Sequence, residues 1–364
     1  MSDAARSATP VGLAPVVRLA PAKLNLTLAV VGRRADGFHD LHSVMVPLGL
    51  ADRLVLAPVH APAPARGSAR VLPPAPAAGD TIHIVGPGGS PAAGDLGPPE
   101  RNLVLRAIAA AREALRAVGV DAPLPPLVAR LEKQIPVAAG LAGGSSDAAA
   151  ALDGALEAWG LAGALGPGER LAVAASLGSD VPFFLAGGWA LVEGRGERVT
   201  PLPGVRGPVP WALLVTPAVA ASTSAVYAAF RAGARPPAGA SLATSRHLAA
   251  ELTGGLTAGR FLDRAGVLAA ANDLGPATAA LLPALAALRH GLRWLLRRPV
   301  GQTGSGPTLW LLYPSEATAA EAAATVHVAL ASDSLAAPGE RPPVVIVTPL
   351  AAGGPRRAGE GNQP

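Results

Sequence analysis

Cysteine is absent from the 364 residues of this chain, which excludes disulfide bonds and thiolate metal sites. Lysine is almost absent too. Lys23 and Lys133 are the two in the chain, and arginine supplies the rest of its 30 cationic side chains. Phe, Trp and Tyr together make up 3% of the residues, and the arginines are scattered without a basic run. A nucleic-acid groove needs aromatic platforms and a concentrated positive face, so no nucleic-acid partner is expected. The net charge of +5 suits a small anionic ligand better. No uncharged apolar run reaches the roughly 18 residues of a membrane span. The opening residues M-S-D-A-A-R-S-A-T-P have no apolar centre of the secretory kind. A cytoplasmic protein without a membrane partner is therefore expected.

What the chain has in abundance is small and turn-forming residues, 43 Gly and 38 Pro beside a large amount of alanine. Half of it is hydrophobic, enough for a substantial core, and its length allows two domains. The most informative stretch is 136–151, which reads P-V-A-A-G-L-A-G-G-S-S-D-A-A-A-A. Gly140, Gly143 and Gly144 permit close backbone approach and positive φ. Ser145, Ser146 and Asp147 favour a helix start, and Ala148, Leu152, Leu156 and Trp159 follow at helical spacing. A glycine loop feeding a helix leaves backbone N–H groups aimed at one point, an anion site best suited to phosphate. A flexible loop ahead of a serine-capped core helix would carry the same residues, so other segments must decide.

Residues 1–15 and the tail from 351 are expected to be disordered, and 57–99, dominated by Ala, Pro and Gly, to be a loose insertion with one strand at 81–85. From residue 16 the pattern is strand-like. Ala22, Leu24, Leu26, Leu28 and Val30 alternate with Lys23, Asn25, Thr27 and Ala29, so Lys23 and Asn25 share a face of a strand that Gly32 ends. Further extended structure is expected over 44–56, broken at Gly49 and Asp52. Helices are expected over 103–118, capped by Asn102, and over 169–177, then a turn at S-D-V-P-F-F and a hairpin over 187–199. A boundary falls at 201–210, dividing 16–205 from 206–350. Beyond it come a strand over 211–216, a helix to Phe230, two or three helices over 242–290, a loop at 301–307, a strand over 308–313, a helix from Ser315 to about 330 and a last strand at 344–347. The fold class is α+β, two domains.

Three separated features ask for one explanation: Lys23 with Asn25, the loop before the helix, and Asp180 after a helix. Phosphoryl transfer needs N–H donors for phosphates, a cation for developing charge and a carboxylate facing the acceptor hydroxyl. The Walker pattern is absent, since no lysine follows Gly144, and the glycine spacing is wrong for a Rossmann fingerprint.

On these residues the chain resembles the GHMP superfamily, the small-molecule kinases named after galactokinase, homoserine kinase, mevalonate kinase and phosphomevalonate kinase. Residues 136–149 are similar to its phosphate-binding motif, and G-Q-T-G-S-G at 301–306 to its C-terminal glycine motif. P-A-K-L-N-L at 21–26, R-A-D-G-F-H at 34–39 and G-S-D-V-P-F-F at 178–184 resemble one branch more closely, the branch acting on a cytidine diphosphate derivative of methylerythritol. The resemblance spans about residues 16 to 347. It implies an N-terminal domain like domain 2 of ribosomal protein S5, a ferredoxin-like C-terminal domain, and transfer of phosphate from ATP, with Mg²⁺, to the 2-hydroxyl of that substrate.

By the same resemblance Asp180 matches the general base and Lys23 its partner, and Asn25 a substrate-orienting residue. His39 matches the reader of the cytosine edge, and Phe38 and Tyr227 its aromatic sandwich. On the ATP side the matching positions are Pro136, Val137, Ala138, Ala139, Gly140, Leu141, Ala142, Gly143, Gly144, Ser145 and Ser146, with Asn102 and Lys133 near the nucleotide. Ala139 and Ala142 stand where glycine is common. Thr303, Gly304, Ser305 and Gly306 fall in the second glycine motif, and Asn272 and Asp273 in a short motif with a structural or ligand role. No metal ligand is identifiable, and either a monomer or a homodimer is compatible. Mevalonate, homoserine or a sugar as acceptor, a nucleotide-binding module without catalysis, and an RNA-binding protein are the alternatives.

Overall fold

The structure is a computed structural model, and it describes residues 15–35, 37–59, 79–90, 98, 101–231, 233 and 239–351. Both tails apart from Pro15 and Ala351, and most of the 57–99 insertion, lie outside the described residues. The first part of the chain forms β1 (Val16–Asn25), β2 (Ala29–Arg33), β3 (His39–Pro58), β4 (Thr81–Val85), α1 (Leu103–Ala117), β5 (Leu127–Glu132) and α2 (Gly143–Ala158). It continues with α3 (Pro167–Leu177), α4 (Val181–Ala186), β6 (Ala190–Gly194) and β7 (Arg198–Pro201). The second part forms β8 (Trp211–Thr216), α5 (Thr223–Arg231), α6 (Ala240–Thr253), α7 (Ala258–Asp263), α8 (Ala265–Ala270), α9 (Gly275–Leu281) and α10 (Pro283–Leu296). Then come β9 (Gly301–Gln302), β10 (Leu309–Tyr313), α11 (Glu316–Ala331) and β11 (Val344–Pro349).

The first sheet is built on β3, which takes β1 and β2 along one edge and β5 and β6 along the other. Its order is β4-β5-β3-β6-β7, with β4 and β5 parallel across the α1 crossover. Contrary to expectation, β3 passes through Gly49 and Asp52 unbroken. Asp52 is fully buried, and its carboxylate accepts from the backbone N–H groups of Gln134 and Ile135, so the strand needs no turn to solvate it. The strand expected to run to Gly32 is split instead. Around Leu28 the chain leaves the ladder because the second half of the protein supplies partners: Leu28 N–H donates to Ala271 O at 2.7 Å and Asp273 N–H to Leu28 O at 2.8 Å. The predicted alternation survives, but both faces are buried, the apolar one against the second sheet and the polar one behind a cleft.

The second sheet has the order β11-β8-β10-β9, antiparallel throughout. Helices α1 to α4 cover one face of the first sheet over a core that includes Leu54, Ile108, Leu131, Leu152 and Phe183. A second core, with Leu24, Leu26 and Val46 against Leu214, Phe261 and Trp310, joins the two sheets. Leu213, Leu288, Leu311 and Val326 form a third beneath α10 and α11. Five helices, α6 to α10, occupy the region where two or three were expected, because the chain breaks at Gly254, Arg264, Asn272 and Pro283. The S-D-V-P-F-F turn is also corrected. After Asp180 it coils into α4, where Pro182 sits in the first turn and its missing N–H costs nothing.

Candidate active site

A cleft of about 930 Å³ opens between the two halves, lined by the ends of β1, the 136–145 loop, Ser179 and Asp180, the β6–β7 turn, α5 and the 304–305 loop. Its floor is set by local backbone geometry. Ala138, Gly140 and Ala142 all have positive φ (56°, 78° and 56°). A Cβ at Gly140 would meet Gly306 O at 2.7 Å, so the two glycine motifs pack in contact. Helix α2 starts at Gly143, earlier than the serines suggest, because Ala142 in the left-handed region turns the chain directly into it. Packing of the alanine-rich side of α2 under the sheet overrides the helix cost of the two glycines. No side chain among the described residues caps α2, so the N–H groups of its first turn, at Gly143, Gly144 and Ser145 along the cleft, are available to an anion.

Lys23 sits where loop, strand and Asp180 meet. It is 3% exposed, and its ammonium donates to Asn25 Oδ1 at 2.6 Å and to Gly140 O at 3.0 Å, with Asp180 Oδ2 at 3.9 Å. A solvated edge charge is excluded by that burial. Desolvation lowers the lysine pKa, and the attraction of Asp180 offsets part of the shift. Asn25 is held rigidly, its Nδ2 donating to Ser43 Oγ at 2.9 Å and its Oδ1 also accepting from Thr303 Oγ1 at 3.3 Å. Its side chain therefore fixes Lys23 while lining the cleft. Asn272 Nδ2 donates to Gln302 O and Gly304 O, and Asp273 Oδ2 accepts from Val30 N–H. That short motif pins the second glycine loop against β2.

Lys133 departs from a simple nucleotide contact. Its ammonium is clamped by Asp52 and by Asp147, the latter at 2.8 Å, and all three side chains are at most 10% exposed. Burial works against the ammonium, but the two carboxylates outweigh it and its pKa lies above the ordinary lysine value. One ammonium cannot satisfy two carboxylates. Asp52 has two backbone donors besides, whereas Asp147 Oδ1 has no partner among the described residues, so the surplus charge falls on Asp147. Burial, opposed by Lys133 and reinforced by Asp52, pushes its carboxyl up to about 7. The sequence reading missed both carboxylates. Asp52 and the adjacent Arg53 interrupt an otherwise apolar run, and the sequence does not show which of the two charges is buried.

At the other end of the cleft the rings are arranged differently from the expected sandwich. Tyr227 stacks on His39 with centroids 4.9 Å apart, and Arg195 lies with its guanidinium carbon 4.7 Å from the centre of the Phe38 ring. The Tyr227 hydroxyl is pushed far up by burial, with Asp180 adding to the shift, so it stays protonated. Thr223 Oγ1, at the start of the helix carrying Tyr227, is 3.0 Å from Ser305 Oγ. Of the site residues expected from sequence, the cleft gathers Lys23, Asn25, Phe38, His39, Asn102, Lys133, 136–140, 142–145, Asp180, Tyr227, Gly304 and Ser305. It leaves out Leu141, Ser146 and Gly306. Leu141 turns into the core between the sheets, Ser146 is buried on the far side of α2, and Gly306 lies behind Gly140. Asn102 also caps α1, accepting from Val104 N–H at 2.9 Å. Arg101, Ser179, Arg195 and Thr223 line the cleft as well and were not foreseen.

A glycine loop running into a helix start, a buried lysine bridging it to a carboxylate, and a second glycine loop packed against the first make the arrangement of a small-molecule kinase of the GHMP class. The family model for the GHMP kinases N terminal domain matches residues 102–188. A homoserine kinase from Cytophaga hutchinsonii, 15% identical, has the same fold with a TM-score of 0.60 over 96% of this chain and 98% of its own. Relatives resolve the class further. The 4-diphosphocytidyl-2-C-methyl-D-erythritol kinase of Symbiobacterium thermophilum is 47% identical over 60% of this chain and 67% of its own. That of Pelotomaculum thermopropionicum is 36% identical over 85% of this chain and 93% of its own. A crystal structure of 4-(cytidine 5'-diphospho)-2C-methyl-D-erythritol kinase, 32% identical, aligns with a TM-score of 0.58 over 92% of this chain and 99% of that one. The chain belongs to the 4-diphosphocytidyl-2-C-methyl-D-erythritol kinase family, whose members are ATP-dependent small-molecule kinases. No helix among the described residues is long and apolar enough to cross a membrane.

Proposed function

We propose that this protein transfers the γ-phosphate of ATP to the 2-hydroxyl of 4-diphosphocytidyl-2-C-methyl-D-erythritol, a step of non-mevalonate isoprenoid synthesis. One observation carries the mechanism: the Lys23 ammonium touches Gly140 O of the phosphate loop while standing 3.9 Å from Asp180. Asp180 accepts the proton of the acceptor hydroxyl, and the freed oxygen lone pair forms the new bond to the γ-phosphorus. The bond from that phosphorus to the bridging oxygen breaks, and ADP leaves with the electron pair. Lys23 stabilises the charge that builds between base and phosphate. The free N–H groups at the start of α2 hold the triphosphate, and the aromatic cluster of Phe38, His39 and Tyr227 takes the cytosine. Mg²⁺ belongs to this chemistry, where it neutralises phosphate charge. Among the described residues no group of three His, Cys, Asp or Glu side chains could hold a metal ion, and no residue is assigned as its ligand.

The strand order of the second sheet, last-first-third-second in a β-α-β-β-α-β succession, supports a ferredoxin-like reading of 206–350. Residues 16–205 are read as the ribosomal protein S5-like half. ADP release measured with the cytidyl substrate beside mevalonate, homoserine and sugars tests the acceptor; turnover of one of the others and not of the cytidyl compound refutes it. Asp180→Asn is expected to lower kcat by about 10² to 10⁴ with ATP binding retained. Full activity in that variant would remove Asp180 from the role of base.

A further inference from the structure

We propose that Arg195 binds the diphosphate bridge of the substrate, holding the segment between the cytosine and the acceptor alcohol. The inference rests on the cytidyl substrate proposed above and adds a contact that neither family motifs nor the base and lysine assignments supply. Arg195 lies in the β6–β7 turn, and the turn is pressed onto the segment bearing Asp180. Gly196 has φ 120°, and a Cβ there would fall 1.9 Å from Ser179 O, so only glycine allows the approach. The main chain of Arg195 is thus anchored one residue from the contact with Ser179, next to the acceptor end. Its guanidinium meanwhile reaches the Phe38 ring at 4.7 Å, at the base end. A substrate running from the aromatic cluster to Asp180 must pass this side chain, and its diphosphate is the middle of that path.

Charge points the same way. Lys23 is engaged by Asp180, and Lys133 by Asp52 and Asp147. Glu197, whose carboxylate accepts from the Arg195 backbone N–H at 2.6 Å, faces the Arg34 guanidinium at 3.9 Å. The Arg195 guanidinium has no carboxylate partner among the described residues and lines the cleft. Arg101 and Arg231 also line it, but Arg101 adjoins Asn102 at the start of α1 and Arg231 stands one turn past Tyr227 on α5. Neither is tied to the Asp180 turn. A guanidinium can rest its face on a ring and donate in-plane N–H groups to phosphate oxygens at once. Phe38 is still 52% exposed beneath it, which leaves ring surface for a planar base.

The test uses the full chain with the triphosphate cradle filled by a non-hydrolysable ATP analogue, titrating CDP and cytidine by calorimetry. Arg195→Gln is expected to weaken CDP by about 10- to 100-fold, the scale of a charged hydrogen-bond pair, with cytidine within about twofold. Arg195→Lys should recover part of the loss. KM for ATP should stay within about twofold of the wild type, and the melting temperature should be unchanged, since the side chain is only half-buried. Equal weakening of CDP and cytidine, or a rise in KM for ATP with CDP unchanged, overturns the inference, the first in favour of a ring-packing role and the second of an ATP contact. Unchanged CDP binding overturns Arg195 alone. If the wild type binds neither CDP nor cytidine, the cytidyl reading fails and this inference falls with it.

Discussion

Replacing Lys23 by methionine separates chemistry from architecture. Methionine matches the length of the side chain and removes the charge. At 3.9 Å from Asp180, the ammonium interacts with a unit negative charge by roughly 4 kcal/mol at an effective dielectric of about 20. In the proposed mechanism Asp180 gives up that charge as it takes the proton, and the charge moves onto the acceptor oxygen. A similar interaction there, partly screened because the Asp180 side chain is 32% exposed, sets an upper bound of about 3 to 4 kcal/mol, or roughly 10² to 10³ in kcat. Stability should respond far less. The variant loses two charge-assisted hydrogen bonds, worth about 1.5 to 3 kcal/mol each. It also escapes the cost of holding an ammonium at 3% exposure, several kcal/mol before compensation, a cost visible in the lowered pKa. Thr303 Oγ1 remains within 3.4 Å of both stranded acceptors, Asn25 Oδ1 and Gly140 O. The net change is therefore within about 2 kcal/mol, a melting shift of no more than roughly 8 °C. Coupled ADP-release kinetics and a thermal melt, run on the same preparation, decide the matter. A kcat reduced less than tenfold in a well-folded variant would show that the ammonium does not act on the acceptor. A collapse of the melting temperature well beyond that shift would make Lys23 a structural pin instead.

Two further outcomes follow from the clamp and the loop. Asp147 titrates at about 7 in the folded protein against 3.8 unfolded, so between those values the native state holds the extra proton and stability falls as pH rises through the window. Asp147→Asn should flatten that slope in denaturant titrations between about pH 4 and pH 8; an unaltered slope would clear Asp147 of the effect. Ala142, with φ 56°, carries a left-handed strain of about 1 to 2 kcal/mol, of which the extra freedom of an unfolded glycine returns part. Ala142→Gly should raise stability by about 0.5 to 1 kcal/mol, and a lowered melting temperature would contradict it.

The resemblance to a kinase family was legible because its determinants are local. Small residues at 138–144, a helix start behind them, and Lys23 two residues from Asn25 each follow from a few neighbouring positions. The N-caps at Asn102 and Ser315 were legible for the same reason: each oxygen takes an N–H from its own chain segment, that of Val104 or Thr318. The failures lay where distant segments decide. Gly49 and Asp52 look like breaks until β1, β5 and the Gln134 and Ile135 N–H groups close around β3. The split after Asn25 depends on the 271–273 segment, some 245 residues away along the chain.

By itself, then, the sequence determined the elements whose hydrogen bonds and apolar periodicity are satisfied within a few residues, and the glycine-rich motif that carries the family resemblance. Tertiary structure alone decided that Lys23 is buried and bound to the loop, that Lys133 is neutralised by Asp52 and Asp147, that Tyr227 faces His39, and that Arg195 reaches Phe38 from beside Asp180. The physical reason is common to all four. The energy of a buried charge or a ring face depends on which groups from other segments come within a few ångströms of it, and spacing along the chain does not carry that information.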